Sequence, residues 1–479
     1  PRNMSVIMPR DHTCDTDHVN NVVELFAESG TNFRFDDGGE TTAADLAEQG
    51  CRVAAWLLGQ GFERGDRLAL RLPNSADYLR LLVACAAGGF VAVSVNTRYS
   101  EAEVDDLVAR SGASLAQLDD DPFGWRACKP IEPDGVGHDP FVVFTTSGTT
   151  SKPKLVLHRQ RSIVDHADDA AAGFGLSHDD VVLAVMPLGG TFGLASLSAA
   201  LAGSCRVVVT NFDAVATGNL IAAERVTCVN GSDDMFHRLL GQGADLSSIR
   251  LGGYARFNTS LDGIVERAAA AGATLTGLYG MSEVQALFSL RDPAGDPVDR
   301  SRAGGTLVSS DAAYRIVDGE LQLRGPSLFA GYLAEGGATI DDELTGRHFD
   351  DGWFRTGDLA EPDGSRGFEY VARIGDVLRL GGFLVSPAEV EAALLEVAGV
   401  REAQVVAVDR PGGARPVAFV IAPEGLDEQV AIQHCRRQLA RYKVPLRVIV
   451  IDEFPTTSSA NGTKILKNKL RAMAAAELD

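Results

Sequence analysis

The 479-residue chain holds 65 acidic against 44 basic side chains and has a formal net charge of −21 at pH 7. This balance argues against nucleic acid and against an anionic membrane as partners, because both would need an extended basic surface to neutralise phosphate groups. Hydrophobic residues make up 45% of the chain and charged residues 23%, which is typical of a globular protein, and the length predicts at least two domains. An anionic ligand would therefore have to be met by local cations.

The cysteines and the apolar segments indicate a reduced, cytoplasmic protein. The cysteines are scattered without a CxxC pair or another metal-binding spacing, at positions 14, 51, 85, 128, 205, 228 and 435. The opening PRNMSVIMPRD has no apolar signal core, and the longest apolar run, residues 81–95, is too short for a membrane-spanning helix. We therefore expect free thiols, a cytoplasmic location and no membrane span.

Helix and strand patterns alternate over the first part of the chain. Residues 43–61 have helical periodicity and end at glycine, and DRLALRL (66–72) alternates like a strand. The next helical pattern follows Pro73 directly, and its first polar residues predict an N-terminal cap at Asn74, Ser75 or Asp77.

The same alternation continues beyond that helix. VAVSVN (91–96) predicts a short buried strand, and Ser100 with Glu103 predicts a capping box at the start of another helix. Residues 119–140 are rich in Pro, Gly and Asp and predict a loop, after which FVVFTT (141–146) predicts a strand. Strands that alternate with helices predict an α/β fold with doubly wound parallel sheets.

The segment TTSGTTSKPK (145–154) has the composition of a loop that binds phosphate. Glycine lets backbone N–H groups approach a ligand, hydroxyl groups donate hydrogen bonds and lysine neutralises charge. The segment does not follow the Walker pattern, because GK[ST] is missing at the required spacing and Pro153 would interrupt a helix. On this stretch alone, the alternative is an ordinary hydroxyl-rich surface loop.

Lysine is rare in this chain, and its placement is uneven. Only seven of the 44 basic side chains are lysines, and five of these lie in two short windows, at positions 152, 154, 464, 467 and 469. An ammonium group is a compact, movable charge that suits phosphate chemistry. Either the two windows bind phosphate, or the lysines cluster by chance on solvated faces.

TTSGTTSKPK resembles the phosphate loop of the adenylate-forming superfamily, which includes acyl-CoA and aryl-CoA synthetases, luciferases and the adenylation domains of peptide synthetases. Further segments resemble the family's motifs in the family's order and cover nearly the whole chain: GGFVAVSVN (88–96), GLYGMSE (277–283), GELQLRGPSLFAGY (319–332), GWFRTGDL (352–359), ARIGDVLRLGGFLVSPAEVE (372–391), RYKVP (441–445) and GTKILKNKLR (462–471). One such motif is weak support, whereas eight in order leave little room for coincidence.

The resemblance implies a nucleotide site whose parts make chemical sense. The β- and γ-phosphates of ATP would be held by Thr145, Thr146, Ser147, Gly148, Thr149, Thr150 and Lys154. The adenine, ribose and α-phosphate would be bound by Tyr279, Gly280, Ser282, Asp358 and Arg373.

Within that site the resemblance gives separate roles. Tyr279 would stack on adenine, Ser282 would contact the α-phosphate, and Asp358 would accept both ribose hydroxyl groups, which suits an acceptor-only carboxylate. Glu283 would bind Mg²⁺, a hard cation that suits a pyrophosphate leaving group. Without the resemblance, Tyr279 would be a core aromatic residue, Glu283 a surface acid and Asp358 a turn former.

Lys464 is the predicted catalytic residue. In GTKILKNKLR it matches the lysine that, in the family, bridges the substrate carboxylate and the nucleotide. An ammonium placed between two anions offsets their repulsion and stabilises the transition state. The neighbouring Lys467, Lys469 and Arg471 are expected on a solvated helix face.

The resemblance also implies a moving C-terminal domain. Gly375 stands where the family has its hinge, usually Asp or Lys, and glycine should permit the swing while defining its end states less well. After rotation, Leu380, Gly381 and Gly382 would line a tunnel for the thiol of coenzyme A. Two further departures from the family pattern are Ala372 in place of a glycine and Thr463, which stands as an insertion before Lys464; the phosphate loop also has Ser151 and Leu155 in place of glycines.

The acid pocket is the least specified part of the site. MPLGGTFGL (186–194) corresponds to the family's PLxHxxG region, with Gly190 where a ring often gates the site. The other candidate wall residues are Phe192, Asn230, Ser232 and Tyr254. Because Gly190 leaves volume, we hypothesise a bulky cyclic or polycyclic acid rather than a small aromatic one.

The predicted fold is α/β: a large N-terminal domain of two doubly wound sub-domains plus a small β-barrel (1–374), and a small mobile α+β domain (375–479). The predicted enzyme is an acid:CoA ligase that uses ATP, Mg²⁺ and coenzyme A and passes through an acyl-AMP. One alternative is a stand-alone adenylation enzyme that loads an acyl carrier protein. Another is a non-catalytic paralogue that binds nucleotide.

Overall fold

The computed structural model describes residues 19–116, 124–146, 153–257, 261, 263–337, 339–375, 378–380, 383–408, 410, 414–459 and 462–478. The helices in this part of the chain are α1 Val22–Glu28, α2 Ala43–Gly59, α3 Ala76–Gly88, α4 Glu101–Ser111, α5 Gln160–Gly173, α6 Thr191–Ala202, α7 Ala214–Glu224, α8 Asp233–Gly241, α9 Ile264–Ala270, α10 Pro297–Arg300, α11 Asp342–Gly346, α12 Pro387–Leu395, α13 Glu428–Gln438 and α14 Lys467–Leu478.

The strands, in chain order, are β1 Asn32–Phe35, β2 Glu40–Thr42, β3 Arg67–Leu70, β4 Val91–Ser94, β5 Ser114–Ala116, β6 Pro140–Thr145, β7 Leu155–Arg159, β8 Val181–Ala184, β9 Arg206–Val209, β10 Cys228–Ser232, β11 Leu251–Ala255, β12 Leu275–Tyr279, β13 Ser289–Leu290, β14 Gly304–Leu307, β15 Ala313–Val317, β16 Glu320–Arg324, β17 Gly331–Tyr332, β18 Phe349–Asp350, β19 Trp353–Asp363, β20 Gly367–Arg373, β21 Leu378–Leu380, β22 Phe383–Val385, β23 Glu402–Val408, β24 Arg415–Ile421, β25 Val448–Val450, β26 Thr456–Ser459 and β27 Gly462–Ile465.

Two sheets with parallel centres form the larger part of the molecule. One sheet has the order β17-β7-β6-β4-β3-β5, in which β3 to β6 pair in parallel and β6 and β7 form an antiparallel hairpin. The other runs β12-β11-β10-β8-β9-β1 with parallel pairing throughout. The predicted doubly wound α/β architecture is therefore present.

The two sheets share one apolar core because α3 and α6 are buried almost all round. The core cluster includes side chains from both helices and from strands of both sheets. A helix that is hydrophobic on every side has to be covered by other elements on every side. The two sheets therefore pack on these shared helices and form one body.

Antiparallel strands occupy the place in the chain where a β-barrel was expected. From β12 the second sheet continues through β13, β14, β20, β19, β16 and β15, each paired with the next in antiparallel fashion. These strands have their own apolar cluster, in which Leu323, Phe354 and Phe368 are fully buried. In the described residues these antiparallel strands extend the parallel sheet, because β13 is hydrogen-bonded to β12.

The elements from β21 onward form a smaller α+β unit. Its sheet, β23-β24-β25, packs against α12, α13 and α14, and its cores contain Leu394, Val405 and Phe419. A larger α/β part followed by a smaller α+β part confirms the predicted fold class. The boundary at residue 374 stays a prediction.

Several local predictions are confirmed. The side chain of Ser75 caps α3, and Ser100 with Glu103 forms a capping box on α4. Residues 124–139 contain only a short 3-10 turn at Trp125–Ala127, as expected of a loop. The cysteines at positions 51, 85, 128, 205, 228 and 435 are free thiols. In the described part of the chain, every helix is too short or too polar to cross a membrane.

Candidate active site

The predicted phosphate loop connects the two strands of a β-hairpin, β6 and β7. Thr145 on β6 pairs with Leu155 on β7. The hairpin closes where the backbone N–H of Thr146 donates to the carbonyl of Lys154 at 3.0 Å and the N–H of Lys154 donates to Thr146 Oγ1 at 3.0 Å. Ser147, Gly148, Thr149 and Thr150 lie outside the described residues. The two hydrogen bonds between Thr146 and Lys154 fix both ends of the loop where β6 ends and β7 begins.

Lys154 extends from this hairpin into a group of polar and aromatic side chains. Its Nζ lies 2.7 Å from Nε2 of His348 and 4.7 Å from the ring centroid of Tyr332. Partial burial lowers the pKa of Lys154; the nearby carboxylate of Glu283 acts in the opposite direction, and the charge of Arg373 lowers it further. Lys154 is thus a half-buried lysine near a carboxylate, and an ammonium group can bind phosphate as a point charge.

Glu283 is a buried carboxylate on the turn that follows β12. It is 4% exposed, and its Oε1 accepts a hydrogen bond from the hydroxyl of Tyr332 at 2.8 Å. The described residues hold no group of three or more His, Cys, Asp or Glu side chains suited to a metal ion. A single carboxylate nevertheless fits Mg²⁺, which commonly takes one or two carboxylates and completes its shell with phosphate oxygens and water.

The turn that carries Ser282 and Glu283 has a strained backbone. Gln285 and Ala286 both have φ of 62°, a conformation that side-chain-bearing residues seldom adopt. A Cβ atom on Gly280 would lie 1.6 Å from the carbonyl oxygen of Ala286. Gly280 is therefore required for the backbone to fold back on itself at this turn.

Two buried histidines hold the turn from outside. Nε2 of His158 lies 2.7 Å from the carbonyl oxygen of Ser282, and Nε2 of His166 lies 3.0 Å from that of Gln285. Burial lowers the pKa of both histidines to about 4. Each ring is thus neutral near pH 7 and donates from Nε2. Sequence reasoning missed both residues, since no local pattern marked them.

Asp358 stands at the centre of a second group. Its Oδ2 accepts from the hydroxyl of Tyr279 at 2.7 Å, and its Oδ1 accepts from Nη1 of Arg373 at 2.7 Å. Asp358 is 5% exposed and is opposite Arg373 across the β19–β20 ladder. A carboxylate has about four acceptor positions, so two remain for further donors such as a pair of hydroxyl groups.

Tyr279 is packed on both sides in this structure. Its ring centroid lies 5.1 Å from that of Phe368, edge to face, and 6.0 Å from that of Tyr370. Burial raises the pKa of Tyr279, and the charge of Asp358 raises it further. The structure thus brings Tyr279, Asp358 and Arg373 together, while a stacking role for Tyr279 stays a prediction.

The predicted acid-pocket residues line the ends of α6, β10 and β11, but most of their polar atoms already have protein partners. Asn230 donates to Ser196 Oγ at 3.1 Å, the Ser232 hydroxyl caps α8, and the Tyr254 hydroxyl donates to the carbonyl of Ser301 at 2.7 Å. Gly190 is the N-cap residue of α6 and Phe192 is buried in its first turn. The pocket roles of all five stay predictions.

Asn74 fixes the backbone beside that pocket. Its amide nitrogen donates to the carbonyls of Met186 at 3.0 Å and Thr210 at 2.9 Å, and its Oδ1 accepts from the N–H of Leu188 at 2.8 Å. Asn74 is one of the three residues predicted to cap α3. Ser75 caps the helix instead, so the Asn74 side chain is free to hold the MPLGG segment across the core.

The C-terminal candidates are only partly described. Leu380 is buried, whereas Gly381, Gly382 and the side chain of Lys464 lie outside the described residues; the Lys464 backbone pairs with Thr457 in the β26–β27 hairpin.

Helix α14 departs from the expectation that its basic residues face only solvent. Lys469 is exposed, but Nη2 of Arg471 donates to the carbonyl of the predicted hinge, Gly375, at 3.1 Å. Lys467 Nζ lies 3.8 Å from Oε1 of Glu391, which is buried. Two of the three residues therefore have protein partners, because α14 packs close to the start of its own domain.

Comparison with protein families and known proteins gives a consistent result. Residues 25–333 match the model of the AMP-binding enzyme family, and residues 389–461 match that of the AMP-binding enzyme C-terminal domain. The long-chain-fatty-acid–CoA ligase FadD13 of Mycobacterium tuberculosis is 28% identical over 94% of this chain and 95% of its own length. A feruloyl-CoA synthase of Amycolatopsis is 30% identical over 91% of this chain and 94% of its own.

Solved structures agree on the fold. ATP-bound MatB from Rhodopseudomonas palustris superposes with a TM-score of 0.82 at 24% identity, covering 95% of this chain and 99% of MatB. A Mycobacterium tuberculosis fatty acyl CoA synthetase gives a TM-score of 0.71 at 25% identity, covering 95% and 99%. The chain therefore belongs to the AMP-binding enzyme family and is an adenylate-forming enzyme of the acyl-CoA synthetase type.

Proposed function

We propose that this protein is an ATP-dependent, AMP-forming acid:CoA ligase. The observation that carries the proposal is the meeting of side chains from both sheets. Lys154 comes from the hairpin of the first sheet, and Glu283, Asp358 and Arg373 come from the second. The charge of Glu283 acts to raise the pKa of both Lys154 and Arg373, so these side chains lie close to each other. One side of this site suits phosphates and a divalent cation, and the other suits a ribose.

In the first half-reaction a carboxylate oxygen of the acid attacks the α-phosphorus of ATP, and the bond to pyrophosphate breaks. The hairpin stems and Lys154 hold the outer phosphates, Asp358 and Arg373 bind the ribose, and Glu283 would hold Mg²⁺. A divalent cation held by Glu283 would neutralise charge on the departing pyrophosphate. Lys464 stabilises the two anions as they approach.

In the second half-reaction the thiol of coenzyme A attacks the acyl carbon, a thioester forms and AMP leaves. Residues 375–479 act as a lid that turns about Gly375 between the two steps, and Leu380, Gly381 and Gly382 line the thiol path. A Cβ atom added at Gly375 would meet no other atom within 4 Å, so the hinge position is not enclosed by neighbouring side chains.

Coenzyme A is the favoured acceptor because the related proteins named above are CoA ligases or synthetases over nearly their full lengths. A carrier protein is the second candidate acceptor. We further propose a cytoplasmic location, since the described cysteines are free thiols.

For the acid, we retain a bulky cyclic substrate. Gly190 contributes no side chain at the N-terminus of α6, where a ring would fill the pocket. A Mycobacterium tuberculosis ligase whose named acid is a methyl-dioxo-octahydroindenyl propanoate is 29% identical over 90% of this chain and 94% of its own length. A fused bicyclic propanoate is therefore the first candidate, and feruloyl and succinylbenzoyl acids from other relatives are competitors.

The test is to incubate the protein with ATP, Mg²⁺, coenzyme A and a panel of acids and to follow AMP and thioester by mass spectrometry. Lys464→Ala should lose thioester formation, while Lys469→Ala, in the same motif but exposed, should retain it. Acyl-AMP without thioester would identify a carrier protein as the acceptor. No acid-dependent AMP across the panel would instead support the non-catalytic alternative.

A further inference from the structure

One contact of Lys154 has no part in the function proposed so far. Nε2 of His348 lies 2.7 Å from Lys154 Nζ, although the two residues are 194 positions apart in the chain. His348 follows α11 and precedes the short strand β18, and its side chain is half-buried. A partner for the predicted phosphate lysine is thus supplied by a different segment of the chain.

The protonation state of His348 follows from its second nitrogen. Nδ1 lies 2.9 Å from the carbonyl oxygen of Leu344. A carbonyl only accepts, so Nδ1 carries the proton and Nε2 presents a lone pair. An ammonium only donates, so the contact runs from Lys154 to His348. Burial lowers the pKa of His348 and the charge of Lys154 lowers it further, which keeps the imidazole neutral.

The surroundings fix both side chains. The ring of Tyr332 packs edge-on against His348 at 5.1 Å between centroids and also lies beneath the Lys154 ammonium. The Tyr332 hydroxyl in turn donates to Glu283. The lysine tip is thereby held between an imidazole and an aromatic face, and the same aromatic residue bonds to the carboxylate that would bind the metal ion.

We propose that His348 is a positioning residue for Lys154: its Nε2 takes one ammonium N–H and leaves the other two aimed at the outer phosphates of ATP. A lysine side chain without a partner samples many rotamers. If it is already held in the bound geometry, less conformational entropy is lost when ATP binds. This inference rests on the proposed function, in which Lys154 contacts the β- and γ-phosphates. AMP lacks those phosphates, so its binding should not depend on His348.

Two conservative variants separate this role from a structural one. His348→Gln can place an oxygen near the position of Nε2 but loses the Nδ1 bond to Leu344. His348→Asn keeps a donor near Nδ1 and loses the acceptor for Lys154. The dissociation constants of MgATP and of AMP would be measured for both, with His178→Asn, a highly exposed histidine, as the control.

We expect His348→Asn to weaken MgATP binding about tenfold, the size of one hydrogen bond to a charged group, with AMP binding unchanged. His348→Gln should stay close to wild type, and His348→Asn should add nothing in a Lys154→Met background. Three results would overturn this inference but not the proposed function. They are equal weakening of MgATP and AMP binding, weaker MgATP binding by His348→Gln than by His348→Asn, and additive effects of His348→Asn and Lys154→Met. Wild-type protein that binds neither nucleotide would overturn the proposed function and the inference with it.

Discussion

Asp358 and Arg373 face each other across two neighbouring antiparallel strands, and Nη1 of Arg373 lies 2.7 Å from Oδ1 of Asp358. The ladder sets this distance, so neither residue depends on a loop for its position. Arg373 also donates to the backbone carbonyl of Thr356 at 2.8 Å. A rigid, charge-balanced pair of this kind is well suited to bind a neutral diol such as ribose.

Replacing Asp358 with Asn should weaken ATP binding without abolishing it. The amide keeps the size of the carboxylate but removes the charge that Arg373 and the Tyr279 hydroxyl contact. Loss of hydrogen bonds to a charged group costs about 1.5–3 kcal/mol, so we expect kcat/KM for ATP to fall by about 10- to 100-fold. Steady-state kinetics against ATP measures this.

The control for that experiment lies on the same strand. Glu361→Gln removes an exposed carboxylate from β19 and should leave the ATP kinetics within about twofold of wild type, because surface substitutions have small effects. An Asp358→Asn enzyme with unchanged ATP kinetics would contradict the ribose assignment.

Gly280→Ala should disrupt the turn that carries Ser282 and Glu283. The added Cβ would lie 1.6 Å from the carbonyl oxygen of Ala286, so backbone must move. We expect a loss of about 1–3 kcal/mol in the free energy of unfolding, measured by urea titration, together with a loss of adenylation activity.

Gly59→Ala is the matched substitution for Gly280→Ala. Gly59 lies at the end of α2, and a Cβ there would meet no atom within 4 Å. Stability should be unchanged or rise by up to about 1 kcal/mol, as expected for glycine replaced in a helix. If both variants behaved alike, the close approach at Gly280 would not be what fixes the turn.

The buried histidines predict a specific loss of stability in acid. The native pKa values of His158 and His166 are about 4, below the ordinary value of 6.5. Between these pH values the unfolded chain binds more protons than the folded one, so the free energy of unfolding falls as the pH drops from 6.5 to 4. One histidine shifted this far contributes up to about 3 kcal/mol to that fall.

The measurement is the pH dependence of unfolding for wild type and His158→Gln, whose amide can still donate to the Ser282 carbonyl but does not titrate. The variant should show a shallower slope between pH 6.5 and 4, and the difference isolates the histidine from the carboxylates that titrate in both proteins. Parallel slopes would contradict the assignment of a buried neutral imidazole.

Gly190→Phe should narrow the acid specificity. A ring at the first residue before α6 would fill the space that we assign to a bulky acid, so kcat/KM for a fused bicyclic acid should fall at least about tenfold. Binding of MgATP by the same preparation serves as the internal control and should be unchanged. Loss of MgATP binding as well would indicate damage to the fold rather than a change of pocket volume.

The sequence predicted best what is local. Capping residues predicted the starts of α3 and α4 to within two residues, because a cap such as Ser75 or Ser100 acts on the turn beside it. The alternation of elements likewise predicted the parallel sheets. Family resemblance, rather than periodicity, brought Asp358, Arg373 and Glu283 into one predicted site.

What the sequence did not predict are side chains that act across long distances in the chain. His158 contacts Ser282 over 124 positions and His348 contacts Lys154 over 194, and a lone histidine in LVLHR or GRHFD has no pattern that marks it. Tyr332 is the last residue of GELQLRGPSLFAGY, so its place in a family motif was a signal for a site residue. The antiparallel extension from β12 was also missed, since strand pairing order depends on tertiary contacts that period-two patterns do not encode.

The most direct test of the central claim is to follow a heavy oxygen isotope from the carboxylate of an accepted acid during turnover with MgATP and coenzyme A. Attack of the carboxylate on the α-phosphorus requires that each AMP released carries one labelled oxygen. Mass spectra of AMP with that single label are the predicted result. Label found in the inorganic products instead, with ADP formed in place of AMP, would contradict adenylate formation by this protein.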